Sequence, residues 1–459
     1  AKSRTPLLVL AAEAGVPTSN FFVAQDELAE AVGAVAERVH SPDSAATDTV
    51  RAWARATHDR RTVVLNLPLD VQRMEVRDVP RPSPPAAPPA PAAEESVVDE
   101  LARLLAAAER PVFIAGRGAR LAQARQPLAD LAEACGALLA TSAVAKGFFR
   151  SHPRDLDVSG GFATPLAAEL ITAADLIVAW GCSLTMWTTR HGRLIADGAT
   201  VVHVDSDPAA IGRNHPVHLG VVGDVRAVAA GALEALGSAR PTGYRTEEVA
   251  QRLAAGRRWR DVPFDDDSAA CRIDPRTLTI GLDDLLPPER ILAVDSGNFM
   301  GYPSMFLDVP DDDGFCFTQS YQSIGLGLST AIGAALARPD RLAVAALGDG
   351  GALMSICELD TVVRLGLPMI VVVYNDEAYG AEVHHFGPSG HPLDTVRFPE
   401  TDIAAIGRGF GCDAVTVRAT ADLDGVRRWL DGPRTRPLVV DAKVTEGPSW
   451  WLEEAFRGH

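Results

Sequence analysis

The stretch LAVAALGDGGALMS (342–355) and its companion MIVVVYNDEAYG (369–380) decide the fold. Each opens as an apolar run of strand length and turns polar at its end. The first run ends in Gly348-Asp349-Gly350-Gly351, the second in Asn375-Asp376-Glu377-Ala378-Tyr379-Gly380. Unbroken apolar runs suit strands covered on both faces, as in parallel sheets flanked by helices. In such sheets ligands bind beyond the carboxyl ends of the strands, where these polar segments fall. Glycines between a strand and a helix let backbone N–H groups approach an anion, and the helix N-terminus adds a favourable field for phosphate. A carboxylate at Asp349 would repel that phosphate unless a cation lay between them, and the hard oxygen donors of Asp349 and Asp376 suit Mg²⁺. Asp-Gly alone is a common turn dipeptide, and Asn-Asp is weaker still. The joint arrangement carries the reading: two strand ends separated by one helix, with 27 residues from Asp349 to Asp376.

The same alternation runs outward through the 459 residues. Strands are expected at 7–12, 62–67, 111–116, near 137–141, 176–181, 201–205, 291–295, 342–347, 369–375 and 438–443, with helices between them, two of these at 24–38 and 45–57. VPRPSPPAAPPAPAA (79–93) is too rich in proline for helix or sheet and reads as a stiff surface spacer. Residues 238–274, with Asp265-Asp266-Asp267, read as a charged linker. The expected fold class is α/β, with three doubly wound parallel-sheet domains. Residues 1–78 form the first, incomplete block, 79–94 the Pro-rich linker, 95–237 a central domain, 238–274 the second linker, and 275–459 the domain that carries Gly-Asp-Gly.

With 43 Lys+Arg against 60 Asp+Glu the chain has a formal net charge of −17, so its surface repels phosphate backbones and anionic lipid. No nucleic-acid partner and no membrane partner is expected. A hydrophobic fraction of 47% with 22% charged residues excludes wholesale disorder and a disulfide-scaffold class. The six cysteines lie far apart, without Cys-x-x-Cys or Cys/His zinc spacing, and read as reduced, mostly buried thiols of a cytoplasmic protein. No run of 18 apolar residues occurs. The opening AKSRTPLLVLAAEAG, whose apolar stretch is cut by Glu13, reads as a buried strand rather than a signal peptide.

Gly348-Asp349-Gly350 followed by Asn375-Asp376 resembles the thiamine diphosphate-binding motif of the family that contains acetolactate synthase, benzoylformate decarboxylase and pyruvate decarboxylase. Gln322-Ser323-Ile324-Gly325, followed by Ala331-Ile332-Gly333-Ala334, is similar to the segment in which a bulky apolar residue holds that cofactor bent. TVVLNLPLDV (62–71) is similar to the end of the family's pyrimidine-binding domain, and 111–116 and 219–225 to edges of its central domain. The resemblance implies that Asp349, Asp376 and the carbonyl of Ala378 ligate Mg²⁺. It further implies that Gly348, Gly350 and Gly351 cradle the diphosphate and that Asn298 lies near diphosphate or pyrimidine. Ile324, beside Gln322, would buttress the bent cofactor, and Tyr379 flanks the metal segment. Ile324 reads equally as a core residue at the start of a helix. The implied chemistry is decarboxylation of a 2-oxo acid with capture of the acyl fragment by a carbonyl acceptor or a proton, thiamine diphosphate supplying the electron sink. The implied partners are the small-molecule 2-oxo acid, the acceptor, and further copies of the chain in a homodimer or homotetramer, because the family site is built between subunits.

Two departures accompany the resemblance. Asp376 stands where the family usually has Asn, which adds a negative charge to the metal site. The family's pyrimidine-activating glutamate lies in the first half of the pyrimidine domain, and this chain is expected to begin about halfway through it, so none of Glu13, Glu27 and Glu30 is given that role. Glu382, six residues beyond Asp376, occupies the offset at which pyruvate decarboxylase-like members carry a catalytic glutamate. His384 and His385 follow as substrate contacts or as idle polar groups of a loop. Trp450 and Trp451 read as packing rather than as a lid. Three functions are open. A carboligase of the acetolactate synthase type comes first, simple 2-oxo acid decarboxylation is favoured by Glu382, and a cofactor-binding protein without catalysis would follow from the missing glutamate. Gly116 to Gly118 is too little to assign a flavin site, so FAD stays undecided, with the balance against it.

Overall fold

β-branched runs such as Val371-Val372-Val373 favour extended backbone that is buried on both faces, and they supply the centres of three parallel sheets. The computed structural model describes residues 1–76, 82–239, 241–318, 321–447 and 451. They fall into two units, Ala1–Pro89 and Ala90–His459.

In the first unit β1 (Leu7–Glu13), β2 (Val35–Arg38) and β3 (Thr62–Pro68) pair in the order β1-β3-β2. Helix Ala45–Thr57 packs Ala52 and Ala56 against Val63 and Leu65 of β3. Two expectations are corrected here. The buried strand at 7–12 is a strand but not a buried one: among the described residues β1 is an edge, paired with β3 alone, and Leu7 and Leu10 are 50% and 62% exposed. The helix over 24–38 is only Gln25–Ala31, because Gly33 takes φ +75° and the chain then leaves as β2. A left-handed glycine ends a helix, and pairing with β3 overrides the helical periodicity of the segment.

The second unit begins with residues 90–94, which lie outside helix and strand. Its first sheet contains β4 (Pro111–Ala115), β5 (Leu138–Thr141), β6 (Asp155–Val158), β7 (Leu176–Trp180), β8 (Thr200–Asp205) and β9 (Leu219–Val222) in the order β6-β5-β4-β7-β8-β9. Helices pack on both faces. Leu101, Leu128 and Val228 belong to one core, and Leu170, Val249 and Leu253 to the other. The last two sit on helix Glu247–Gly256, inside the segment read as a linker. That reading is corrected: Thr246 caps the helix by accepting the Val249 N–H at 3.2 Å, and Val249 and Leu253 are buried despite the surrounding charge.

The last sheet contains β10 (Arg290–Val294), β11 (Phe315–Phe317), β12 (Leu342–Gly348), β13 (Ile370–Asn375), β14 (Asp413–Val417) and β15 (Leu438–Lys443), ordered β11-β10-β12-β13-β15-β14. Its faces bury Leu278, Leu282 and Val426 on one side and Leu328, Leu359 and Val362 on the other. The two six-stranded sheets meet through the acidic loop 308–313. Arg120 pairs with Asp313 at 2.8 Å, while Arg125 and Arg150 pair with Asp312 and Asp308. Trp259 donates its indole N–H to the Phe162 carbonyl at 2.6 Å across the same junction. Among the described residues no helix is long and apolar enough to cross a membrane. All six cysteines are free thiols. Cys135, Cys182 and Cys412 are buried, whereas Cys271 and Cys357 are exposed, fewer buried than their composition suggested.

Candidate functional site

Strand order places the candidate site. β10 is followed by β11 on one side and by β12 on the other, so the sheet changes winding direction between β10 and β12, and the carboxyl ends of these strands open the crevice where such folds take ligands. Asp295-Ser296-Gly297-Asn298 leaves β10 there, and Gly348-Asp349 leaves β12. Gly348 is in register with Tyr374 of β13, which brings Asp349 and Asp376 to adjacent strand ends.

Asp349 opens helix Asp349–Ser355 and is 3% exposed. Its carboxylate accepts the Gly350 N–H at 2.9 Å, and the Glu377 and Ala378 amides also favour its charged form. Burial pushes its pKa above the ordinary carboxylate range, and those amides pull it partway back. Asp376 is half-buried and is pushed up as well, first by burial and then by the Asp349 charge. The Ala378 amide favours the charged form of both carboxylates. Arg397, paired with Glu446 on the exposed side, feels the Asp376 charge, and a cation between the two carboxylates would relieve both.

The loop that delivers Asp376 is fixed from several sides. Tyr379 donates its N–H to Val396 O at 2.8 Å, and Phe398 donates to Glu377 O at 2.7 Å. Glu377 sits at φ +61°, a left-handed conformation that costs a non-glycine residue about 1 kcal/mol, and its carboxylate is held by Arg272 at 2.8 Å. Beneath it, Asn375 donates to Asp441 at 2.9 Å in a fully buried pair. A Cβ on Gly350 would lie 2.7 Å from Tyr379 Cδ1 and closer still to Cε1, so the Tyr379 ring rests directly on the turn. A Cβ on Gly380 would lie 2.6 Å from Asp376 Oδ2 and 3.1 Å from Asn298 Cβ, which places Asn298 beside the carboxylate pair. Asn298 is buried, its side-chain amide donates to Gly447 O at 3.1 Å, and its backbone carbonyl accepts the Trp451 indole N–H at 3.1 Å. Trp451 is 2% exposed and packs edge-on against Tyr302, whereas Trp450 lies outside the described residues.

The remaining sequence candidates are farther from this cradle or more open. Ile324 is half-buried in the loop before helix Gly327–Ala337, not in the core at a helix start, because that helix begins three residues later. Gln322 is exposed at φ +59°. Glu382 is exposed in the first turn of helix Gly380–Phe386, and His384 is half-buried on the same helix, its pKa lowered by burial against the opposing pull of Glu446. Among the described residues no cluster of three or more His, Cys, Asp or Glu side chains is arranged for a metal. The candidate cation site is therefore two carboxylates and a carbonyl, and a hard ion such as Mg²⁺ would draw its other oxygens from an anionic ligand and water.

Sequence reasoning missed Asp295, Arg272 and Asp441, whose partners are distant in the chain. A cavity of about 560 Å³ lies elsewhere, between Arg154, Tyr244, Arg245, Glu247 and Arg257. Its guanidinium groups are committed: Arg154 to Glu133, Arg257 to His152 O, and Arg245 to backbone carbonyls. The Gly116–Gly118 segment packs backbone on backbone, Gly118 N–H donating to Gly181 O at 2.9 Å. A Cβ on Gly118 would lie 2.7 Å from Gly181 Cα, so the close approach of helix Arg117–Leu121 to the segment after β7 accounts for that glycine.

Family models extend the comparison to most of the second unit. Residues 98–232 match the thiamine pyrophosphate enzyme central domain, and residues 295–442 match the C-terminal TPP-binding domain, which includes both Asp349 and Asp376. The chain is 28% identical to the sulfoacetaldehyde acetyltransferase of Rhodobacter capsulatus over 92% of its own length and 75% of the relative's. To the acetyltransferase of that name in Castellaniella defragrans it is 29% identical, over 90% and 71%. To the acetolactate synthase large subunit of Parasynechococcus marenigrum it is 29% identical, over 78% of the chain and 57% of the relative. The matched region spans 63% and 58% of two further relatives, from Mycobacterium tuberculosis and Bacillus subtilis. With both domain models matched around this strand-end carboxylate pair, the chain belongs to the thiamine pyrophosphate enzyme family.

Proposed function

We propose that this chain is a thiamine diphosphate- and Mg²⁺-dependent carboligase that removes CO₂ from a 2-oxo acid and joins the acyl fragment to a second carbonyl compound, as acetolactate synthase does. The observation that carries the reading is the carboxylate pair Asp349 and Asp376 at adjacent strand ends, with the Ala378 amide favouring both charges and a glycine turn beside it. Asp349, Asp376 and the Ala378 carbonyl would hold Mg²⁺, and the Gly350 and Gly351 amides at the head of the helix would face the diphosphate. When bound, the thiazolium supplies the electron sink for decarboxylation. The chain's own part is placement: Tyr379 covers the turn, Asn298 lines the carboxylate pair, and Ile324 approaches from the loop before helix Gly327–Ala337. Acyl transfer is favoured because the two relatives aligned over 92% and 90% of this chain are sulfoacetaldehyde acetyltransferases by name. The second reading, release of an aldehyde after decarboxylation, is favoured by Glu382 at the head of helix Gly380–Phe386. Assembly as a homodimer or homotetramer belongs to the same proposal.

Calorimetric titration of thiamine diphosphate into the EDTA-treated, desalted chain tests the site. Binding should be absent in chelator and return with Mg²⁺. Equal binding in EDTA would remove the metal bridge. Pyruvate as a probe donor, with products resolved by mass spectrometry, tests the chemistry: acetolactate supports carboligation, acetaldehyde alone supports the second reading, and cofactor binding without turnover of any 2-oxo acid opposes both.

A further inference from the structure

Asp295 is the buried group at the candidate site that the metal and diphosphate assignments leave unused. It directly follows β10 and is 0% exposed. Its own N–H donates to Ala346 O of β12 at 3.0 Å, so its backbone is fixed to the strand that carries Gly348. Its carboxylate is served by backbone amides: Ser296 N–H at 2.8 Å, Gly325 N–H at 2.8 Å and Leu326 N–H at 3.3 Å, with the Gly327 amide adding to the same side. A buried carboxylate without a cation is expensive, and several directed amides are what make it tolerable.

Three glycines crowd this carboxylate. A Cβ on Gly351 would lie 2.5 Å from Asp295 Oδ2 and 3.3 Å from the Gly325 nitrogen. One on Gly327 would lie 2.6 Å from Asp295 Cβ and 2.6 Å from Leu347 Cδ2. Gly325 itself takes φ +84°, which turns its N–H toward the carboxylate while Ile324 extends the other way along the chain. The strand end carrying Asn298, the loop carrying Ile324 and the helix carrying Gly350 and Gly351 therefore converge on one side chain.

We infer that Asp295 is a positioning residue: its carboxylate clamps the Gly325–Gly327 backbone against Gly351 and so sets the placement of Ile324 relative to the diphosphate cradle. The inference rests on the diphosphate reading of Gly348–Gly351. It gives the loop a defined position before any cofactor arrives, and a loop left to order itself on binding would lower affinity by the cost of that ordering. Asp295 acts through Ile324 and the loop, at a distance from the reacting atoms.

The test is hydrogen exchange on the cofactor-free full chain, combined with thiamine diphosphate–Mg²⁺ titration calorimetry, for the parent and for Asp295→Asn. The amide side chain keeps the shape but replaces one accepting oxygen with a donor. Exchange at Gly325 and Leu326 should rise at least tenfold in the variant while β12 and β13 stay protected, and cofactor affinity should fall roughly ten- to a hundredfold. Gly327→Ala provides a second variant if Asp295→Asn does not fold; it leaves every carboxylate and cradle residue in place and pushes the loop off Asp295, with the same two effects expected. Unchanged exchange and affinity in the folded variants overturn the clamp and leave the diphosphate reading standing. A parent chain that binds no thiamine diphosphate with Mg²⁺ overturns the diphosphate reading instead, and the exchange measurement then still decides whether Asp295 holds the loop.

Discussion

Asp376→Asn should make the cofactor-free chain more stable at alkaline pH, an unusual result for a change at a binding site. Asp349 and Asp376 stand at adjacent strand ends and the Asp349 charge raises the Asp376 pKa, an interaction that fits oxygens about 5 Å apart. Two unit charges at that distance repel by about 3 kcal/mol at an effective dielectric of ~20. Asp376 is only half-buried, so solvent screening reduces the relief from removing its charge to about 1–2 kcal/mol. Both carboxyls are held above their ordinary range, by burial first and for Asp376 also by its neighbour. Groups with raised folded pKa values stabilise the fold below their unfolded-state pKa, and that contribution is lost as pH rises through the folded values. The parent in EDTA should therefore lose stability between about pH 5 and pH 8, and the variant should lose less. Thermal unfolding in EDTA across that range should place the variant a few degrees above the parent at the alkaline end, at roughly 2–4 °C per kcal/mol for domains of this size, and level with it at the acid end. Affinity for thiamine diphosphate with Mg²⁺ should hold or improve. A variant less stable than the parent at about pH 8 in EDTA, or an advantage of equal size at both ends, would refute the picture of two repelling carboxyls awaiting a cation.

Three further outcomes are expected. Gly350→Ala drives a methyl group into the Tyr379 ring, which Phe398 backs edge-on at 4.7 Å, so the fold should lose about 1–3 kcal/mol in denaturant titration and cofactor affinity should drop with it. Asp441→Ala strips the buried Asn375 amide, the Ile403 N–H and Lys443 of their common acceptor, and should cost about 3–5 kcal/mol of stability while shifting the loop that carries Asp376. Glu382→Gln should lower aldehyde release selectively in product analysis if Glu382 donates a proton. An unchanged product ratio and rate would strike that residue from the site.

The positions of the long strands, the doubly wound class and the paired strand ends were legible because long buried strands need continuous apolar runs, and because glycine and aspartate at a strand-to-helix turn have a chemistry that is local in sequence. Asp349 and Asp376 could be singled out for the same reason. Short strands were not legible. β6, β11 and β14 have three to five residues and owe their extended form to the neighbour they pair with, and β2 hid inside a helical pattern until β3 was there to receive it. Burial at the ends of the chain's elements was equally nonlocal: β1 has the apolar composition of a core strand and stands at an edge, while charged helix Glu247–Gly256 is pinned by Val249 and Leu253. The supporting residues show the division most clearly. Asp295 is one carboxylate among sixty acidic groups in the sequence, and only the fold brings amides from thirty positions downstream to it. Hydrogen bonds between residues so far apart depend on which strands become neighbours, and that is decided by the packing of the whole sheet rather than by any segment of it.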